Sequence, residues 1–159
     1  MIKTSKSDDA ELMKQQLAEL VKDEPFVIPN LANASAFIMD TYIDLNWAGF
    51  YLLHDNTLIL GPFQGKPACI RIELGKGVCG QAAKLDKTLN IPNVHEFTGH
   101  IACDSASNSE IVIPIHCNNE VIGVLDIDSP IFSRFSSEDQ KQLEDIVKIL
   151  EELVFKVQL

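Results

Sequence analysis

Thiols and carboxylic acids are the side chains of this sequence whose types and spacing point most clearly to chemistry. Three cysteines lie in segments typical of loops or strand edges: Cys69, Cys79 and Cys103. Three acidic residues follow in the hydrophobic segments after them: Glu110, Asp126 and Asp128. A thiolate is a nucleophile and a carboxylic acid is a proton donor. Together they predict thiol redox chemistry in an acid-lined pocket, the combination that reduction of a polar S=O bond requires.

The spacing of the acidic residues predicts that they share one face of a sheet. Asp126 and Asp128 are two residues apart in an apolar strand, so both side chains project to one side, opposite the core-facing Leu125 and Ile127. Glu110 begins the preceding strand of the same hairpin. Because crowded carboxylates cannot all ionise cheaply, either Glu110 or Asp128 should keep its proton and act as a general acid. A solvated sheet face is the alternative interpretation.

Aromatic residues on a neighbouring segment predict an apolar wall. Trp47 and Tyr51 share one face of a strand with Gly49, by the same period of two, and a small gap between the two rings is expected at the glycine. Such a gap could hold a thioether methyl group, because sulfur and methyl groups pack well against aromatic rings. Ordinary core packing is the competing explanation.

A metal site and a phosphate site are both weakly supported. Cysteine and histidine are the usual zinc ligands, and the candidate set is Cys69, Cys79, Cys103, His95 and His100. No Cys-x2-4-Cys or His-x3-5-His pair is matched by a second one, so we predict no metal. The glycines of residues 75–80 lack the Gly-x-x-x-x-Gly-Lys-Ser/Thr spacing of a phosphate-binding loop.

The hydrophobic periodicity predicts helices at both ends of the chain and strands between them. Helices are expected at about residues 7–23, at Pro29 to Asp44, and at about 136–157, where a capping-box-like sequence begins at Ser136. Strands are expected at residues 47–53, 58–63, 68–73, 111–116 and 121–128. A short helix from the glycine-rich segment through Ala83 and a long loop over 92–109 complete the pattern. We therefore predict one α+β domain over residues 1–159, with a central antiparallel sheet, the terminal helices packed on one face and pocket-forming loops on the other.

Charge and composition restrict the partners. With 23 Asp and Glu against 13 Lys and Arg, the formal charge of −10 disfavours nucleic acid and anionic membrane, and it leaves a small molecule as the expected ligand. No apolar leader or bilayer-length apolar run is found, so the chain is expected to be cytoplasmic. Four cysteines in a reducing compartment predict free thiols or transient catalytic disulfides, and Cys117 beside a turn is expected to be a buried structural thiol.

Several motifs together resemble one family. The segments are Asn46 to Tyr51, Leu60 to Gly65, Gly77 to Gly80, Asn93 to His95, Gly99 to Asp104 and Leu125 to Ser129. They are similar to the GAF-domain free methionine-(R)-sulfoxide reductases over about residues 46–137. The resemblance implies a GAF-like fold and reduction of the free amino acid sulfoxide, with a preference for the R epimer.

The resemblance also implies roles for individual residues. Cys103 matches the nucleophile, Cys69 the thiol that forms a disulfide with it during turnover, and Cys79 a secondary or alternative thiol. Trp47 and Tyr51 match the aromatic wall. The residues that match the substrate-binding and catalytic acids are Glu110, Asp126 and Asp128.

The implied cycle needs no bound cofactor. Cys103 attacks the sulfur of free methionine sulfoxide, methionine leaves, and the resulting sulfenic acid condenses with Cys69. Thioredoxin, or another external dithiol, then reduces the disulfide, as the resemblance implies. Because an acidic pocket should raise the pKa of the Cys103 thiol, activation by the incoming ammonium group of the substrate is also expected.

Two other interpretations are possible. A non-catalytic GAF sensor could bind a small ligand or report redox state through Cys69 and Cys103, and it would show binding or oxidation without turnover. The second of these alternatives is a structural dimerisation module built on the terminal helices. The apolar stripes of these helices favour a homodimer, although such stripes more often pack within one chain.

Overall fold

The computed structural model describes residues 6–101 and 105–156 of the chain. The elements follow one another as α1 (Lys6–Val21), α2 (Val27–Thr41), β1 (Trp47–His54), β2 (Thr57–Gly65), β3 (Arg71–Glu73), α3 (Gly77–Leu85), β4 (Leu89–Ile91), a 3-10 turn (Val94–Glu96), β5 (Ser109–Cys117), β6 (Glu120–Ser129) and α4 (Ser137–Leu153). No helix in the described ranges is long and apolar enough to cross a membrane.

The described strands form one antiparallel sheet in the order β3-β2-β1-β6-β5-β4. β1 and β2 form one hairpin, and β5 and β6 form another. In the second hairpin Asn118 and Asn119 both have positive φ, 54° and 62°, as a two-residue turn of the primed type requires. β1 pairs with β6 and thereby joins the two hairpins, which brings the aromatic strand beside the acidic strand.

One face of the sheet is covered by α1, α2 and α4. Alternate residues of β1 and β6 enter this core, among them Ala48, Phe50, Leu125 and Ile127, all of which are fully buried. The helices contribute apolar stripes at helical spacing, such as Leu143, Ile146, Val147 and Leu150 of α4. The large hydrophobic core therefore lies between this helical layer and the sheet, and the predicted α+β layout is confirmed.

The other face of the sheet carries α3 and the loops. α3 packs on β3, β5 and β6, and a second, smaller hydrophobic cluster lies beneath it. Trp47 and Tyr51 of β1 and Val124 of β6 belong to this cluster, since they alternate with the residues that face the helical layer. The strand period of two thus divides each central strand between a structural core and the face that forms a pocket.

Several predicted boundaries were wrong. Residues 68–70 are not part of a strand, so Cys69 lies just before β3. Strand β4 was not predicted, because three residues are too short to show a periodic pattern. α2 begins at Val27 and includes Pro29 in its first turn. Proline is tolerated there because N–H groups in the first turn of a helix have no intrahelical acceptor, so the N–H that proline lacks breaks no hydrogen bond.

The terminal helices are shorter than predicted. α1 ends at Val21 and α4 at Leu153, whereas the expected ends were residues 23 and 157, the second of which lies outside the described residues. The predicted start of α4 is confirmed by a capping box, in which the Ser136 hydroxyl accepts from the Asp139 N–H and the Asp139 carboxylate accepts from the Ser136 N–H.

Candidate active site

Strand register brings the acidic and aromatic residues together. Asp128 of β6 lies opposite Trp47 of β1 on one side and opposite Glu110 of β5 on the other, while Asp126 lies opposite Gly49. All of these residues project from the face that α3 covers, as their spacing predicted. Three strands therefore supply one cluster of polar side chains beside an aromatic wall.

A pocket opens above this part of the sheet. It contains about 530 Å³ of empty space, part of it open to solvent. The sheet supplies Trp47, Tyr51, Ile72, Glu110, Asp126 and Asp128; α3 supplies Gly77, Val78 and Cys79; and the loops supply Pro67, Ala68, His100, Ile101 and Ser107. The start of α3 and the loop before β5 thus close over the acidic residues.

Glu110 is a buried acid with a strongly raised pKa. Its side chain is buried, and burial followed by the negative charges of Asp126 and Asp128 raises the pKa of its carboxyl group well above the ordinary value. A hydrogen bond from the single O–H of the protonated Glu110 to either aspartate acts in the same direction. Of the two candidates for the general acid, Glu110 is buried and Asp128 is half-buried.

Asp126 is the second buried acid in this cluster. Burial raises its pKa above the ordinary value, and its interactions with Glu110 and Cys79 offset this increase only in part. Its Oδ1 atom is buried and has no hydrogen-bond partner among the described residues. A buried carboxylate oxygen without a donor is costly, so this oxygen is suited to receive a donor from a ligand.

Cys79 stands directly against these acids. Its Sγ atom and one carboxyl oxygen each of Glu110 and Asp126 all lie within 4.8 Å of one another. Burial, and then the charges of Asp126, Glu110 and Asp128, raises the pKa of the Cys79 thiol well above its ordinary value. The thiol therefore remains protonated at neutral pH, and its thiolate form is scarce.

The aromatic wall includes a residue that sequence analysis missed. The Trp47 ring is stacked on Phe63 of β2, with ring centroids 5.2 Å apart, and on Tyr51, with centroids 6.0 Å apart. A Cβ atom at Gly49 would collide with Phe63 and lie 2.8 Å from the Trp47 ring. The predicted gap over Gly49 is therefore wrong, because the indole and Phe63 occupy that space. Phe63 lies opposite Gly49 in the register of the β1–β2 hairpin, and this register is the signal that could have identified it from the sequence.

Two hydrogen bonds fix the wall to the segment before β3. The Trp47 indole N–H donates to the Lys66 carbonyl oxygen over 3.1 Å, and the Tyr51 hydroxyl donates to the Cys69 carbonyl oxygen over 2.8 Å. Burial raises the pKa of Tyr51, so its hydroxyl keeps the proton that it donates. Cys69 is half-buried in this segment, next to the pocket-lining Ala68.

Two other cysteines complete the set. Cys103 lies outside the described residues. Cys117 is a free thiol that donates to the Phe155 carbonyl oxygen over 2.9 Å and packs at the edge of the helical core, far along β5 from the acidic cluster. This environment agrees with the structural role expected for Cys117.

The histidines proposed as zinc ligands are engaged elsewhere. His95 contacts the Asn108 side chain at 2.8 Å and the edge of the Phe132 ring. Burial, and then the neighbouring His95, lowers the pKa of His100, which lines the pocket as a neutral ring. Within the described ranges the grouping with metal-binding potential is Cys79, Glu110 and Asp126. An ion there would have to displace the protons of Glu110 and Cys79, and we assign no metal to it.

The fold and the site together define the class of protein. The sequence model of the GAF domain family matches residues 27–152, and the chain belongs to this family. The GAF-like fold predicted from the sequence is confirmed.

Relatives within the family give a narrower comparison. A protein from Escherichia coli named free methionine-R-sulfoxide reductase is 53% identical over 135 residues, which are 85% of this chain and 82% of that protein. The reduced form of fRMsr from Staphylococcus aureus superposes with a TM-score of 0.89 at 50% identity, covering 97% of this chain and 98% of that one. The free methionine-R-sulfoxide reductase of Neisseria meningitidis, solved in complex with its substrate, gives a TM-score of 0.86 at 40% identity, with coverage of 96% and 93%. The homologues of this chain thus include oxidoreductases that act on free methionine-R-sulfoxide.

Proposed function

We propose that this protein reduces free L-methionine-(R)-sulfoxide to L-methionine. The observation that supports this most strongly is the buried pair of acids in the pocket, Glu110 and Asp126, beside an aromatic wall. The R epimer and the free amino acid are taken from the named homologues, to which this chain is about 50% identical.

The pocket matches the groups of the substrate one by one. Methionine sulfoxide is a zwitterion, and its ammonium group needs an anion, which Asp126 supplies through the unpartnered Oδ1 with Asp128 beside it. The methyl group packs against Trp47 and Tyr51. The sulfoxide oxygen needs a proton donor, and we assign this role to Glu110, which lines the pocket and whose pKa is raised by burial.

The chemistry would proceed by thiol attack. The Cys103 sulfur attacks the sulfoxide sulfur and forms an S–S bond while Glu110 protonates the oxygen. The oxygen then passes to the Cys103 sulfur as the S–O and S–S bonds of the adduct break, so that methionine leaves with two electrons gained and Cys103 is left as a sulfenic acid. The thiol of Cys69 condenses with the sulfenic acid to form a disulfide and release water. Thioredoxin, or another dithiol, then reduces the disulfide. No bound cofactor takes part in this sequence.

The placement of the described neighbours supports these thiol roles. Ile101 and Ser107, which precede and follow Cys103 in sequence, both line the pocket, and so does Ala68 next to Cys69. A disulfide requires the two Cα atoms to come within about 4.4 to 6.8 Å. Cys79 is given no redox step, since its thiol is buried and protonated.

A thioredoxin-coupled assay tests this function. Oxidation of NADPH by thioredoxin reductase and thioredoxin is followed with the R and S epimers of free methionine sulfoxide. We expect turnover with the R epimer, loss of turnover in Cys103→Ser, and retention in Cys117→Ser, which alters a thiol outside the pocket. Binding of the sulfoxide without NADPH oxidation would instead identify a sensor.

A further inference from the structure

Tyr51 makes a contact to which the proposed cycle gives no role. Its ring belongs to the aromatic wall of the pocket, and the residue is 2% exposed. Its hydroxyl group donates to the Cys69 carbonyl oxygen over 2.8 Å, although the two residues are 18 positions apart in the sequence. One side chain therefore lines the pocket and also holds the backbone of the residue that carries the resolving thiol.

We infer that Tyr51 is a positioning residue, whose hydroxyl group holds the Cys69 backbone where the Cys69 thiol can react with the Cys103 sulfenic acid. This inference rests on the proposed function. In the step concerned an S–S bond forms, the S–O bond of the sulfenic acid breaks, and its hydroxyl leaves as water with the proton of the Cys69 thiol. The Cys69 sulfur is oxidised and the Cys103 sulfur is reduced.

The segment that carries Cys69 depends on a few hydrogen bonds for its position. Residues 66–70 connect β2 to β3 and belong to no helix or strand. Three bonds hold this segment: Trp47 indole N–H to the Lys66 carbonyl oxygen over 3.1 Å, Tyr51 hydroxyl to the Cys69 carbonyl oxygen over 2.8 Å, and Leu60 N–H to the Ile70 carbonyl oxygen over 2.9 Å. Of these three, the Tyr51 bond reaches Cys69 itself.

Packing brings the same segment against the aromatic wall. A Cβ atom at Gly65, where φ is 135°, would lie 2.6 Å from the Trp47 ring, so the chain enters the segment directly over the indole. Cys69 is half-buried and packs against the smaller hydrophobic cluster, to which Tyr51 also belongs. The wall residues therefore set the position of the segment through contacts as well as through hydrogen bonds.

Disulfide formation is sensitive to such positioning. The bond needs sulfur atoms about 2.05 Å apart and Cα atoms within about 4.4 to 6.8 Å of each other. Release of the Cys69 carbonyl would let the backbone occupy positions outside this narrow range. Resolution of the sulfenic acid should then become slower.

Tyr51→Phe removes the hydroxyl group and keeps the ring. The Cys103 sulfenic acid is made with free methionine-(R)-sulfoxide or with hydrogen peroxide, in the presence of dimedone, which traps sulfenic acids. Mass spectrometry gives the ratio of the dimedone adduct at Cys103 to the Cys69–Cys103 disulfide, and this ratio does not depend on how fast the sulfenic acid forms. We expect the ratio to rise about tenfold in Tyr51→Phe, as for the loss of one hydrogen bond.

Tyr42→Phe is the matched control. Tyr42 is buried in the helical core, and its hydroxyl donates to the Gln142 side-chain oxygen over 3.3 Å, so the ratio should be unchanged in this variant. Cys69→Ser provides the reference without a Cys69–Cys103 disulfide. Both tyrosine variants are measured below the midpoint of their thermal unfolding, so that the ratio reports on folded protein.

The possible results distinguish the inference from the function on which it rests. A ratio that is unchanged or lowered in Tyr51→Phe would overturn the inference, and so would an equal rise in Tyr42→Phe. Absence of a Cys69–Cys103 disulfide from the oxidised wild-type protein would overturn it as well. If peroxide gives the disulfide but the R sulfoxide yields no methionine, the proposed function is refuted, while the ratio measured with peroxide still tests Tyr51.

Discussion

Replacement of Glu110 by glutamine should abolish catalysis and at the same time stabilise the protein at neutral pH. Glutamine has the size of the protonated acid and can still donate a hydrogen bond to Asp126, but it cannot transfer a proton to the sulfoxide oxygen. Loss of a general acid typically costs 10²- to 10⁴-fold, so kcat should fall by about that factor. Glu120→Gln is the matched control, because Glu120 is exposed at the start of β6.

The stability effect follows from proton linkage. In the folded state the pKa of Glu110 is raised by burial and by the neighbouring aspartates, whereas an unfolded glutamate titrates near pH 4.3. Above that pH the folded wild-type protein holds a proton that the unfolded chain has released. The contribution of Glu110 to the free energy of unfolding is therefore fully present below about pH 4.3. It falls by about 1.4 kcal/mol per pH unit as the pH rises, until the pH reaches the raised pKa. The Glu110→Gln protein does not lose this stability as the pH rises.

Urea unfolding at several pH values measures the difference directly. The free energy of unfolding of Glu110→Gln minus that of the wild type should increase from pH 4 toward pH 7, while the same difference for Glu120→Gln should be much flatter. Asp126 titrates in both proteins and affects the difference only through its coupling to position 110. A difference that does not change over this range would refute the assignment of the proton to Glu110, and so would wild-type kcat in Glu110→Gln.

Two further predictions concern positions away from the acids. Gly49→Ala places a Cβ atom against Phe63 and the stacked Trp47 indole. The substitution should therefore lower the free energy of unfolding by about 1 to 3 kcal/mol, measured by thermal or urea unfolding, and it should also lower kcat/KM. Wild-type values for both quantities would contradict this packing. The His116 ring contacts Asp86 at 2.6 Å and Glu151 at 3.0 Å. Burial lowers the pKa of His116, but the hydrogen bonds and charges of the two acids outweigh this effect, so the pKa is raised overall. The contribution of His116 to stability is fully present below about pH 6.5 and is lost as the pH rises through the raised pKa. His116→Gln should therefore lower the free energy of unfolding by about 0.5 kcal/mol at pH 6 and by less at pH 9. An equal decrease at both pH values would argue against the ion pairs.

The features that depend on local periodicity were predictable. The strand period of two placed Asp126 and Asp128 on one face, and Leu125 and Ile127 on the other, and the structure has the same arrangement. The capping box at Ser136 was visible as a short sequence pattern. Features of this kind need only neighbours within a few residues, so sequence alone specifies them.

The short or irregular elements were not predictable. Residues 68–70 carry a strand-like composition, yet only Arg71–Glu73 pairs with β2, because pairing depends on the partner strand as well as on propensity. β4 exists because β5 offers it an edge, not because three residues have a strong preference of their own. The filling of the space over Gly49 by Phe63 depends equally on the register of a hairpin.

The amino-acid sequence by itself determined which side chains share a strand face, and hence that thiols, carboxylates and aromatic rings could meet. Only the tertiary structure decided that Glu110 is buried between two aspartates, which raises its pKa, and that Cys79 lies close to Glu110 and Asp126 under the start of α3. The physical reason is that burial and charge repulsion act through space. They depend on the distances between β5, β6 and α3, elements that are separated along the chain and adjacent only after folding.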